Sequence, residues 1–147
     1  MNKMNKKTEY ALMALNVFND LNLKAKQQGQ SGEYAQQTVS AKDIAEKTHA
    51  PYDVVARVLQ VLSSRGILKA EYGVMGGYTL NKNLSEITLH DLIEILETST
   101  DLAKCLGSDS ECDLAKNCTI MSPIQKLNHK VQNFYKSIPL SEVLNVW

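Results

Sequence analysis

All three cysteines of the chain, Cys105, Cys112 and Cys118, sit in one polar, glycine-containing stretch, with six residues between the first two and five between the second pair. A disulfide would leave one thiol over, so the odd count favours a bound cofactor over a structural bridge. Thiolates at such spacings on a loop can converge on a soft cation or an iron-sulfur cluster. Zinc held by three sulfurs and a carboxylate, or oxidation of an exposed thiol, are chemistries open to the same residues. No nucleotide-binding glycine pattern, Cys-x-x-Cys pair or Ser-His-Asp arrangement accompanies them, so no enzymatic activity is expected. His49, His90 and His129 read as ordinary surface or core histidines before they read as ligands.

At 147 residues the chain is long enough to bury a core of its own. No run approaches the roughly 18 apolar residues of a membrane span. The N-terminus lacks the apolar centre of a signal peptide. A cytoplasmic protein with no membrane partner is expected, in a compartment where thiols stay reduced. The formal net charge of zero hides a division. From Met1 to Lys82 eleven Lys and Arg face seven Asp and Glu (+4), and from Asn83 to Trp147 five face nine (−4). Such asymmetry fits one half that approaches phosphate and another with a different task, although four charges also fit a solvated face.

The elements that must position these residues follow from periodicity. Tyr10, Leu12, Met13, Leu15, Val17, Phe18, Leu21 and Leu23 predict a long first helix that opens at Thr8-Glu9-Tyr10 and runs out near Lys24 to Gln30. The polar, glycine-bearing segment from Gln27 to Gln37 reads as a mobile surface excursion. Ser40 followed by Asp43 reads as a capped start to a helix of about two turns whose buried face is Ala41, Ile44 and Ala45. Pro51 then sits in the first turn of a second helix, Tyr52 to Ser64, with Val54, Val55, Val58, Leu59, Val61 and Leu62 inward and Gly66 as its stop. Two short helices joined by a tight turn make a helix-turn-helix, whose second helix enters the major groove.

Strands at Ile67 to Tyr72 and Tyr78 to Leu80, around the turn Gly73-Val74-Met75-Gly76-Gly77, turn that pair into a winged helix. Gly76 and Gly77 let backbone approach another surface closely, here a sugar-phosphate edge. Thr88 caps a helix from Leu89 to about Glu97, and the cysteine loop follows. A last long helix runs from about Met121 or Ser122 to Ser137. Its stripe of Ile124, Leu127, Val131 and Phe134 or Tyr135 suits either the core or a dimer seam. Pro139 ends it, and Ser141 to Leu144 add a turn.

With these parts in place, the chain resembles the IscR and NsrR family of bacterial winged-helix transcription regulators over nearly its whole length. The residues that carry the resemblance are Thr8-Glu9-Tyr10-Ala11-Leu12, Gly73-Val74-Met75-Gly76-Gly77-Tyr78-Thr79-Leu80, and the ordered cysteines before a long helix. The resemblance implies a homodimer that binds a double-stranded DNA operator and carries an iron-sulfur cluster, of two-iron or four-iron type, sensing iron-sulfur status, redox stress or nitric oxide. It departs from many relatives at Tyr72, where they carry arginine before the wing glycine, and at Met121, where IscR-like members place a ligating histidine. Another branch borrows a carboxylate from the partner's first helix, and Glu9 occupies the matching position.

The implied metal ligands are therefore Cys105, Cys112, Cys118 and Glu9. The implied DNA contacts are Asp53, Arg57 and Gln60 toward base edges, Lys42, Lys47 and Lys69 toward phosphate, and Gly76 and Gly77 at the wing. The expected fold class is mostly α. A winged helix-turn-helix DNA-binding domain with a small β-hairpin wing covers residues 1–82. The cysteine cluster loop and a long C-terminal dimerisation helix follow over 83–147, in one integrated regulator.

Overall fold

A computed structural model of the chain describes residues 4–29, 37–97, 99–106 and 112–145. Among them the first helix, α1 (Lys6–Gln27), starts under Asn5, whose side chain accepts from the Lys7 N–H. Its buried line is Thr8, Ala11, Ala14, Leu15, Phe18 and Ala25, while Met13 and Leu23 of the expected stripe are exposed. Small alanines do this work because neighbouring helices approach closely on that face, which a count of large apolar residues does not register. The excursion read over 27–37 falls mostly on residues 30–36, outside the described ones.

Ser40 caps α2 (Ala41–Thr48) by accepting from the Asp43 N–H. Its hydroxyl also donates to the Asp43 carboxylate at 2.8 Å. The turn after α2 is made by His49 in the left-handed region (φ 54°). Pro51 is the N-cap of α3 (Tyr52–Ser64), one residue ahead of the expected first turn. Val55, Val58, Leu59 and Leu62 bury α3 against α1 and α2, and Val54 and Val61 lie at the edge of that contact.

The wing is the antiparallel pair β1 (Leu68–Glu71) and β2 (Gly77–Leu80), in register Leu68 to Leu80 through Glu71 to Gly77. Val39 adds a short third edge by exchanging backbone hydrogen bonds with Tyr78 at 2.8 and 2.9 Å. A 3₁₀ turn at Leu84–Glu86 leads to α4 (Leu89–Leu96), which begins in a full capping box between Thr88 and Asp91. After the cysteine segment come α5 (Met121–Lys136) and α6 (Leu140–Asn145).

One apolar core joins these elements. It takes Leu15, Ile44, Leu59, Leu62 and Leu68 from the N-terminal part, and Leu84, Ile87, Leu92 and Leu140 from beyond residue 82. Among the described residues the fold is mostly helical with one two-stranded sheet, a winged helix onto which α4 and α6 are sealed. No described helix is long and apolar enough to cross a membrane.

Candidate nucleic-acid interface and cysteine segment

On α3 the side not used by the core carries Asp53, Arg57 and Gln60, all exposed, at the i, i+4, i+7 spacing of one helical face. Arg57 and Gln60 also border a groove of about 580 Å³ shared with Lys7 of α1 and with Ile95 and Leu96 at the end of α4. The face expected to meet base edges thus adjoins the element that leads into the cysteine segment. Lys42 and Lys47 are exposed on α2. Lys69, exposed on β1, has its ammonium 3.8 Å from Glu71, an open pair that phosphate can readily displace.

The wing tip is apolar, with Tyr72, Val74 and Met75 all about fully exposed (95%, 104% and 89%). The two expected DNA-contact glycines answer to the fold itself. A Cβ on Gly76 would stand 2.8 Å from the Glu71 and Gly73 carbonyl oxygens, and one on Gly77 would stand 2.5 Å from the Val39 carbonyl oxygen.

Of the cysteines, Cys105 lies in a 3₁₀ turn at Lys104–Leu106, Cys112 opens a turn, and Cys118 follows a second 3₁₀ turn at Ala115–Asn117. None is in a disulfide; Cys112 is exposed and the other two are half-buried. Glu9, in the first turn of α1, accepts from the Lys6 ammonium at 2.7 Å, and this hydrogen bond holds the lysine above its usual pKa. Met121 is the first residue of α5, half-buried. Among the described residues no three or more His, Cys, Asp or Glu side chains gather closely enough to hold a metal ion. In kind, three accessible thiols and a carboxylate fit an iron-sulfur cluster or zinc. The single chain does not close them into a cage.

Sequence periodicity passed over the residues that place this segment. At its start, Glu97 accepts from the Thr8 hydroxyl at 2.7 Å and from the Asn5 N–H at 3.2 Å, tying the end of α4 to the turn that bears Glu9. Farther on, Asp101 accepts from the Ser99 hydroxyl (2.6 Å), Asn128 Nδ2 (2.9 Å) and Gln132 Nε2 (3.0 Å). The Thr100 hydroxyl donates to Glu94 at 3.0 Å, with His90 Nε2 3.5 Å away. The signal in the sequence is two amides four residues apart, Asn128 and Gln132, beside an otherwise apolar helix stripe.

These bonds, the one from Ser99 first and then that from Asn128, hold the Asp101 carboxyl below its usual 3.8; burial opposes them and Gln132 adds to them. The folded chain therefore binds this proton less readily than the unfolded one. The stabilisation is complete above the ordinary carboxylate pKa and is lost as pH falls through the lower folded value. Asp101→Asn should unfold at lower urea than the native sequence at neutral pH, and the gap should narrow in acid below 3.8. A gap constant across pH would contradict this assignment.

The α5 helix shows a second unexpected division. Its only buried residue is Asn128. Tyr135 packs against the core, but the stripe faces elsewhere: Ile120 (the residue before the helix), Leu127 and Phe134 are 57%, 49% and 61% exposed, with Ile124 and Val131 half-buried between them. These five alternate at spacings of four and three, the a/d rhythm of a two-helix seam.

A family model for Rrf2, described as an iron-dependent transcriptional regulator, matches residues 4–146. IscR of Pectobacterium atrosepticum, an HTH-type transcriptional regulator, is 27% identical over 107 residues, which cover 73% of this chain and 65% of that protein. The fold is similar to that of CymR, the global cysteine regulator of B. subtilis, with a TM-score of 0.67 and 24% identity, covering 100% of this chain and 99% of that one. It is similar also to IscR of T. potens, with a TM-score of 0.64 and 24% identity, covering 99% and 88%. A match that runs through the helix pair, the wing and the cysteine segment alike makes this chain a member of the Rrf2 family, a DNA-binding transcription regulator and not an enzyme.

Proposed function

We propose that the protein is a cytoplasmic, homodimeric regulator whose affinity for a DNA operator depends on an iron-sulfur cluster at Cys105, Cys112 and Cys118, with the partner subunit's Glu9 as fourth ligand. The observation that carries the reading is the unsatisfied seam on α5 directly after three thiols that no disulfide uses. Pairing α5 with a second copy would cover the seam, and a carboxylate from that copy would complete a ligand set that one chain does not gather among its described residues. When bound, such a cluster supplies a centre that reacts with oxygen or nitric oxide, the more so with an oxygen ligand beside the thiolates. The division near residue 82 is then one of task, with reading of DNA before it and sensing and pairing after it, on one shared core.

Arg57 is suited to guanine and Gln60 to adenine in the major groove, each by a two-point hydrogen bond. Asp53, one turn earlier on the same face, excludes phosphate from that end and is suited to a cytosine amino group. Lys42, Lys47 and Lys69 supply charge around this face, and the backbone at Gly76 and Gly77 carries the wing alongside. The spacing of the two recognition helices is set by the α5 pairing, so a shift of the cysteine segment against α5 changes how the helices meet half-sites about one DNA turn apart.

The test begins with duplexes selected from a random pool. Arg57→Ala should lose about 1 to 3 kcal/mol of discrimination at one base pair. Lys47→Ala should bind all sequences more weakly, with the slope of log affinity against log salt shallower by about 1. Unchanged base preference in the first, or an unchanged salt slope in the second, counts against the proposed face. A second reading keeps the regulator and replaces the cluster with zinc or thiol oxidation; the exposure of Cys112 favours it.

A further inference from the structure

Between α4 and Cys105 the chain is fastened to α5 by polar contacts. Asn128 uses both ends of its amide on consecutive residues, accepting from the Leu102 N–H at 2.8 Å and donating to Asp101 at 2.9 Å. Gln132, one turn on, donates to Asp101 at 3.0 Å and to the Thr100 hydroxyl at 3.1 Å. Thr100 and Asn128 are 6% and 9% exposed, and no buried side-chain N or O among the described residues lacks a partner. Apolar contacts tolerate sliding, whereas a satisfied network of donors and acceptors permits one register. Cys105 follows Leu102 by three residues, so its Cα stays within about 11 Å of the pinned backbone.

We propose that Asp101, Asn128 and Gln132 form a positioning joint that fixes the Cys105 segment on the helix carrying the exposed apolar seam, so that displacement of the cysteine is passed to α5. The joint links one element of the proposed sensor to the element proposed to set dimer geometry, and it rests on that reading of the cysteines. Its residues do not themselves act as ligands.

The test uses the full chain and three variants: Asn128→Leu, which keeps the branched shape and removes both bonds, Gln132→Leu, and the exchanged pair Asp101→Asn/Asn128→Asp. In the exchanged pair a carboxylate on α5 accepts from the Leu102 N–H and from an amide on the segment, while Gln132, which shares the Asp101 oxygen with Asn128, keeps its bond to Thr100. In chelator-treated protein, alkylation of Cys105 by iodoacetamide should accelerate about tenfold in Asn128→Leu, because the segment opens locally. Alkylation of Cys112 should keep its rate, and the exchanged pair should return Cys105 toward the native rate. Gln132→Leu should move Cys105 the same way by less, and it carries the test alone if Asn128→Leu does not fold.

In protein reconstituted with ferrous iron and sulfide, the ratio of operator affinities with and without the cluster should fall to within about twofold of unity in Asn128→Leu and recover in the exchanged pair. A Cys105 rate unchanged in both leucine variants overturns the joint. A native protein whose affinity ignores iron and sulfide overturns the sensing reading instead, and the alkylation rates still decide the joint.

Discussion

Leu127→Glu combined with Phe134→Glu should convert the protein to a monomer and remove its hold on an operator. Both residues lie on the α5 stripe at 49% and 61% exposure, so about half of each side chain's burial remains to be gained from a partner. Full burial of a leucine or phenylalanine contributes about 1.5 to 3 kcal/mol. Half of that, for two residues counted in both copies of a symmetric dimer, is roughly 3 to 6 kcal/mol, or about 10² to 10⁴ in the dimer constant. Four added carboxylates facing one another weaken it further. Neither substitution touches the α5 side that carries Asn128, so the monomer should keep its fold. Sedimentation velocity and operator binding read the result; a dimer of native affinity would show that the stripe is not the seam.

Gly77→Ala should damage the wing. Its Cβ would stand 2.5 Å from the Val39 carbonyl oxygen and 2.9 Å from the Ser40 nitrogen, and both neighbours are backbone that cannot turn aside. Relief requires the Val39 edge to separate from Tyr78, which gives up the pair of hydrogen bonds that joins the wing to the start of α2. Overpacking of this kind costs about 1 to 3 kcal/mol. At this chain length that is roughly 3 to 10 °C in Tm. Operator affinity should fall with it, because Ser40 caps the first helix of the DNA-reading pair. Native Tm and affinity would mean that the edge is not held as described.

The helix pair and wing were legible because each boundary has a chemical mark: Ser40 with Asp43, Pro51, the glycines of the turn and Thr88. The buried face of α1 was not, since Ala11 and Ala14 carry little hydrophobic signal although close helix packing needs them. The α5 stripe was visible in sequence while its direction was not. Periodicity says that a face is apolar; the burial of Asn128 and the packing of Tyr135 on the core show that Leu127 and Phe134 point away from it. The joint at Asp101 was missed for a related reason. Buried polar partners 27 residues apart leave no periodic trace. Gly76 and Gly77 were read for an outside surface, and the fold adds an internal need for both.

Whether the three cysteines hold an iron-sulfur cluster with the partner's Glu9 is decided by the visible spectrum of protein purified without oxygen, taken with its iron and acid-labile sulfide content. The native chain should be brown and contain both, Cys105→Ala should be colourless, and Glu9→Ala should show an altered or lost spectrum. A colourless native chain that takes up neither iron nor sulfide on reconstitution, yet still binds its operator, would contradict the claim and leave a regulator whose cysteines serve zinc or thiol chemistry.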